Sequence, residues 1–243
     1  TSRRAGFYQC RTPLGFILEE FMFERLELLI GKEALEKIGR VNILLVGVGG
    51  VGGTCLEALV RSGVQNITII DGDNFQVSNL NRQILATLDD IDKPKVEVAI
   101  KRMLRINDKL NISGKKFYLN EENISSLGKY DFIIDACDDV KAKLGLMKYA
   151  EENNIHLISS MGTGKRLNPS NVVITRLDKT SNDPLAKKIR YEARKLGLNL
   201  KIPVVCSKED AISKDRVVAS SIFVPSTAGL TIAHYIIEKV IRN

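Results

Sequence analysis

Val41-Asn42-Ile43-Leu44-Leu45-Val46 runs directly into Gly47-Val48-Gly49-Gly50-Val51-Gly52, and a helix-like segment from Thr54 to Arg61 follows. Strand, glycine turn and helix in that order make a nucleotide site. Glycines let the backbone turn tightly and approach a phosphate, whose charge is stabilised by the free N–H groups and dipole of the helix N-terminus. A second strand, Asn66 to Ile70, ends in Asp71, 19 residues after Gly52, where a carboxylate can accept ribose hydroxyls. The pattern therefore predicts a nucleotide-binding α/β unit rather than a bare strand-to-helix turn.

A dinucleotide-dependent dehydrogenase would share those glycines and that acid, but the residues that follow are too polar for a hydride-transfer site. After Asp71 come Gly72-Asp73-Asn74, then Ser78-Asn79-Leu80-Asn81-Arg82-Gln83, then Asp92-Lys93-Pro94-Lys95 at the start of an amphipathic segment. Arg82 and Lys95 could neutralise a triphosphate, with Lys95 in a first helical turn just after Pro94. The plainer reading makes Asn79 and Asn81 turn residues, and Lys93 and Lys95 part of a solvated helix face. A further strand, Tyr130 to Ile134, delivers Asp135-Ala136-Cys137-Asp138-Asp139 at the edge where open α/β sheets bind ligands. Carboxylates there can hold Mg²⁺ against phosphate oxygens. Alternatively, Asp138 or Asp139 caps the helix Lys141 to Asn153.

In this order, Gly-x-Gly-Gly-x-Gly, Asp-x-Asp, Asn-x-x-Arg-Gln, Lys-Pro-Lys and Asp-x-x-Asp resemble the ubiquitin-activating superfamily, which includes the adenylyltransferases of molybdopterin and thiamin synthesis. The likeness runs from about Arg25 to Asp139. It implies a doubly wound, Rossmann-like, mostly parallel sheet, ATP and Mg²⁺ as ligands, and attack of a carboxylate on the α-phosphate with release of pyrophosphate. By that resemblance Gly47, Gly49, Gly50, Gly52, Asp71, Asp73 and Asn79 cradle the nucleotide, with Asp71 on the ribose. Arg82 and Lys95 meet the phosphates, and Asp138 holds the metal. Arg25, six residues before Gly31, corresponds to an arginine that crosses between subunits, which implies a homodimer.

The carboxyl-terminal half narrows the resemblance. Relatives that serve ubiquitin-like proteins often carry two Cys-x-x-Cys pairs for structural zinc, whereas Cys10, Cys55, Cys137 and Cys206 have no metal-ligand spacing. His156 and His234 read as packed or surface residues. Gly162-Thr163-Gly164-Lys165-Arg166-Leu167-Asn168-Pro169, the stretch from Val172 to Ala186, Pro203 to Glu209 and Ser220 to Pro225 resemble the tRNA threonylcarbamoyladenosine dehydratases. That branch cyclises a modified adenosine beside the anticodon, so the resemblance implies a ligase-class enzyme acting on modified tRNA. Cys206 stands where many of those relatives have an aromatic residue, and Val204 where some have a cysteine, so Cys206 reads as a strand residue rather than a nucleophile. Two other functions fit the first half alone: adenylation of the C-terminus of a small sulfur-carrier protein, with a sulfur-donor partner, and nucleotide binding without catalysis.

Charge supports the nucleic-acid reading independently. Lys165 to Arg216 carries 13 basic and 6 acidic residues, an excess of seven that equals the net charge of the whole chain, +7. Lys187, Lys188, Arg190, Arg194 and Lys195 fall on one helix-like stretch and could contact phosphates, although a solvated helix has the same composition. With no Trp and 6% aromatic residues, base stacking is a smaller expected contribution than phosphate contact.

A chain of 243 residues with 44% hydrophobic content can bury one large α/β core, expected to carry about eight strands. Residues 22–243 read as a single adenylation domain, with 22–155 the ATP-binding half and 156–243 the substrate-facing half. Residues 1–21 lack the helical period that begins at Phe23 and read as a leader or processed extension outside the fold. Scattered cysteines without a disulfide framework suggest the reducing cytoplasm, and no apolar run reaches the roughly 20 residues of a membrane span.

Overall fold

The computed structural model describes residues 22–213 and 218–242. The expected leader, residues 1–21, lies outside them. Seven strands form one sheet among the described residues: β1 (Asn42–Val46), β2 (Asn66–Ile70), β3 (Asn111–Lys115), β4 (Phe132–Asp135), β5 (His156–Ser160), β6 (Val172–Arg176) and β7 (Pro203–Ser207), in the order β3-β2-β1-β4-β5-β7-β6. Every pair is parallel except β6 with β7. The fold is thus the expected doubly wound α/β sheet, one strand short of the expected number.

Strand alternation explains why both faces are covered. In β1, Ile43 and Leu45 join one apolar cluster and Leu44 and Val46 the other, all 3% exposed or less. Helices α3 (Gly50–Arg61), α4 (Lys95–Leu104) and α7 (Phe223–Arg242) cover the first face, and α5 (Val140–Glu152) and α6 (Pro184–Lys195) the second. Two short helices, α1 (Glu24–Ile30) and α2 (Lys32–Arg40), precede β1 and are joined through Gly31, whose φ of 86° favours glycine. The stretch Phe223-Val224-Pro225 opens α7. Pro225 is tolerated because a first-turn N–H has no helical partner.

The order of strands reverses between β1 and β4, which are neighbours while their connections lead to opposite sides of the sheet. A crevice at that reversal is where open α/β sheets bind ligands. The turn after β1 and the turn after β4 meet there: a Cβ on Gly47 would lie 2.8 Å from the Ala136 carbonyl carbon and oxygen. Gly52 is equally constrained, since its Cβ would fall 1.8 Å from the Gly47 carbonyl oxygen. Any side chain at either position would prise the turn apart.

Candidate active site

A cavity of about 650 Å³ opens at the reversal, lined by Gly47, Gly49, Gly50 and Val51 on the glycine turn and by Asp138 after β4. Glycine 49 precedes α3, whose N-terminus has no side-chain cap and no acid in its first turn. The first residues of α3 thus line the cavity with no capping side chain and no acid of their own, as a phosphate requires. Asp71 ends β2 and ties itself to the turn: its carboxylate accepts from Val48 N–H at 2.8 Å and Asp73 N–H at 2.9 Å. Each of its oxygens keeps a lone pair for a hydroxyl.

The cations are held in different ways. Lys95 begins α4, is only 6% exposed, and donates to Asp73 Oδ2 at 2.7 Å. The other Asp73 oxygen accepts from the Tyr118 hydroxyl at 2.6 Å. Partial burial pushes the Asp73 carboxyl up, but these two donors outweigh it and hold the pKa below the usual carboxylate range. Arg82 lines the cavity with its guanidinium braced on the Ser78 carbonyl at 2.6 Å and Asn81 Oδ1 at 3.1 Å. Asn79 does not line the cavity. Its buried side chain accepts from Gln76 N–H and caps the turn, while its carbonyl accepts from Arg82 N–H at 3.0 Å. The turn reading therefore describes its geometry, and it supports Arg82 from behind. Gly52 also stays off the cavity wall and acts through packing.

Asp139 is the N-cap of α5, accepting from Ala142 N–H at 2.8 Å. That leaves the exposed Asp138 carboxylate beside the cavity without the capping bond. No three acidic, histidine or cysteine side chains gather as a metal site among the described residues. The donor set fits Mg²⁺, which takes one or two carboxylates and completes its shell with phosphates and water. Arg25 lies exposed on α1 and does not reach the cavity of its own chain.

Phe117, Tyr118, Leu119 and Lys143 at the site went unmarked in the sequence, and Gln83 and Asp135 appeared there only within motifs, with no role assigned. Phe117, Tyr118 and Leu119 wall the cavity past Asp71, and the Tyr118 ring lies against Gly72, where a Cβ would fall 2.7 Å from it. Gln83 lines the cavity, is 6% exposed, and has no partner for Oε1. Beneath the β4 turn, Lys143 and Asp135 form a salt bridge at 2.9 Å with side chains 1% and 0% exposed. Burial alone would push the Lys143 ammonium down, but the adjacent Asp135 charge carries its pKa up. Cys137 packs on the same carboxylate, and burial pushes its thiol up out of the reactive range. Cys206 is a buried residue of β7, as expected.

The carboxyl-terminal half supplies the facing wall through Thr163 and Ser220. Asn81 Nδ2 donates to the Ser220 carbonyl at 2.9 Å and joins that wall to the Arg82 turn. Arg166, 4% exposed, spends its guanidinium on the carbonyls of Gly162, Gly164, Asn182 and Glu209, so it holds the loop rather than a ligand. Asp183 caps α6 at Ala186 N–H and accepts from Gly162 N–H at 2.8 Å, which places the start of α6 one residue from Thr163 on the cavity wall. Along α6, Ala186, Ile189 and Ala193 are buried while Lys187, Lys188, Arg194 and Lys195 are exposed. Arg190 is bound to the Thr180 hydroxyl.

Known proteins resemble this chain in sequence and fold. The ThiF family pattern matches residues 23–193. The tRNA threonylcarbamoyladenosine dehydratase of Bacillus subtilis is 35% identical over 241 residues, covering 91% of this chain and 95% of that one. The solved structure of the Escherichia coli tRNA N6-threonylcarbamoyladenosine dehydratase in complex with ATP superposes with a TM-score of 0.86 at 32% identity, covering 91% of this chain and 94% of the other. The solved structure of TcdA (CsdL) superposes with a TM-score of 0.87 at 30% identity, covering 95% of this chain and 98% of the other. The chain belongs to the ThiF family, within its tRNA threonylcarbamoyladenosine dehydratase branch.

Proposed function

We propose that this chain converts N6-threonylcarbamoyladenosine in tRNA to its cyclic, dehydrated form at the expense of ATP. The observation that carries this choice among adenylating enzymes is the reach of the likeness to a dehydratase: 95% of the relative's length, well beyond the shared nucleotide-binding half. The cavity supports the same reading, because one wall bears the glycine turn, Arg82 and Lys95 while the other comes from the carboxyl-terminal half.

In this reading the threonyl carboxylate attacks the α-phosphate, forming an acyl-adenylate and releasing pyrophosphate. The neighbouring carbamoyl group then attacks the activated carbonyl, closes the ring and expels AMP, so that the carboxylate oxygen leaves on AMP. Intramolecular attack gains from high effective molarity and needs no covalent enzyme intermediate. Asp71 holds the ribose, the first turn of α3 and Arg82 hold phosphate, and Lys95 stabilises the charge that develops as pyrophosphate departs. Mg²⁺, held by Asp138, would neutralise phosphate oxygens. The exposed lysines and arginine of α6 contact tRNA phosphates. Arg25 completes the site of a partner copy in a homodimer, and the enzyme works in the cytoplasm as a ligase.

The direct test is release of AMP from ATP with and without tRNA bearing threonylcarbamoyladenosine. Release that requires the modified tRNA is expected. Release that requires instead a small protein ending in Gly-Gly would replace this function with sulfur-carrier adenylation.

A further inference from the structure

The Lys143–Asp135 pair is too well built to be incidental. Every donor of the Lys143 ammonium is used: on Asp135 Oδ2 at 2.9 Å, Ser159 Oγ at 3.2 Å and the Ser160 carbonyl at 2.7 Å. Asp135 Oδ2 also accepts from Ser159 Oγ, and Oδ1 accepts from Cys137 N–H at 3.3 Å and Cys137 Sγ at 3.0 Å. A pair this deeply buried gains little stability over apolar residues of the same volume, because desolvating two charges consumes most of their attraction. The network instead fixes a shape. Asp135 grips the turn Ala136–Cys137 from within, and the next residue is Asp138. The same turn presses on Gly47 at the start of the glycine loop.

We propose that Lys143 is a positioning residue that acts through Asp135: it locks the turn after β4 so that the Asp138 carboxylate stands at the height of the phosphates. The proposal rests on the reading of Asp138 as the magnesium carboxylate. Replacing the pair by uncharged side chains of similar volume should then spare the fold and weaken the metal's contribution to nucleotide binding, as loss of groups that orient a ligand commonly does.

Calorimetric titration of the full chain with ATP, once with Mg²⁺ and once with EDTA, separates these effects, with melting temperature read on the same samples. Wild type should bind ATP more tightly with Mg²⁺. In the double variant Asp135→Asn with Lys143→Met, the melting temperature should stay near wild type and metal-free ATP affinity should hold, while the gain from Mg²⁺ falls about tenfold. An intact gain in the folded double variant overturns the proposal, because the pair then serves the core alone. Should the double variant not fold, Ser159→Ala, which removes one bond to Asp135 and one to Lys143 but leaves the ion pair, decides: in a chain still folded at the assay temperature, a loss of gain of about threefold supports the proposal, and no loss overturns it. A wild-type chain with no gain from Mg²⁺ would overturn the metal reading itself, a result distinct from an intact gain in the variants.

Discussion

The Lys95 ammonium lies 2.7 Å from Asp73 Oδ2, so the buried cation at the cavity carries its counter-charge with it. An unpaired lysine at 6% exposure would be costly to keep charged, and Asp73 removes that cost until a phosphate arrives to compete. Lys95→Ala should therefore lower single-turnover AMP formation by about two orders of magnitude. Asp73→Asn, which loosens but keeps the lysine, should lower it by less. Quenched-flow measurement of AMP on both variants checks the ranking, and equal losses would show that Asp73 itself contacts the nucleotide.

Asp138 and Asp139 stand side by side, and of the two it is Asp139 that caps α5. Asp139→Ala removes the cap of α5 and should cost about 1 kcal/mol of stability with chemistry retained. Asp138→Ala should leave stability unchanged and abolish most AMP formation. Denaturant unfolding and AMP release on the same preparations read both effects.

Glu57 ties α3 to α4, accepting from Arg102 Nε at 2.8 Å and from Arg61 Nε at 2.9 Å. Burial pushes its carboxyl up, but the two guanidinium groups prevail and hold it below the usual range. A carboxyl depressed in the folded state contributes stability that is fully present above its unfolded pKa of about 4.3 and is lost as pH falls through the folded value. Glu57→Gln should lower the melting temperature at neutral pH, and the difference should close as the pH drops below about 4. A difference that persists undiminished at low pH would contradict the ion-pair assignment.

Arg25 is exposed on α1 and away from its own cavity. If it serves a partner's site, inactive Arg25→Ala and inactive Asp138→Ala chains should regain activity when mixed, because one of the two sites in each heterodimer is intact. Verified subunit exchange without recovered activity would rule out a crossing arginine.

The exposed face of α6 carries Lys187, Lys188, Arg194 and Lys195, whereas Arg190 is engaged with Thr180. Replacing Lys187, Lys188 and Arg194 by Ala should weaken tRNA binding and flatten its dependence on salt, with a slope smaller by roughly one for each phosphate contact removed. ATP affinity should not change. Unaltered tRNA affinity across a salt titration would leave α6 as a solvated helix.

Much of this site was legible because the backbone encodes it. The Gly47–Gly52 cluster could be read because backbone approach excludes a Cβ, as the Gly52–Gly47 distance makes plain. Arg82 and Lys95 could be placed near the cavity because they follow strand ends, whereas the choice of Asp138 over Asp139 came from the family resemblance. Asn79 carried two readings because an asparagine that caps a turn and one that meets a ligand look alike in sequence, and the structure shows the turn cap. Lys143 was invisible for the opposite reason: a lysine in an amphipathic helix reads as solvent-facing, and only the fold brings it beneath Asp135, eight residues earlier. Tyr118 reaches the cavity from the loop after β3, where no periodic pattern marks it.

Mass spectrometry of nucleosides, after incubation of the full chain with ATP, Mg²⁺ and tRNA carrying threonylcarbamoyladenosine, tests the central claim most directly. The account predicts a product lighter by one water, formed together with AMP and pyrophosphate and absent when ATP is withheld. Unchanged threonylcarbamoyladenosine, in a preparation that binds ATP and adenylates the C-terminus of a Gly-Gly protein, would contradict it.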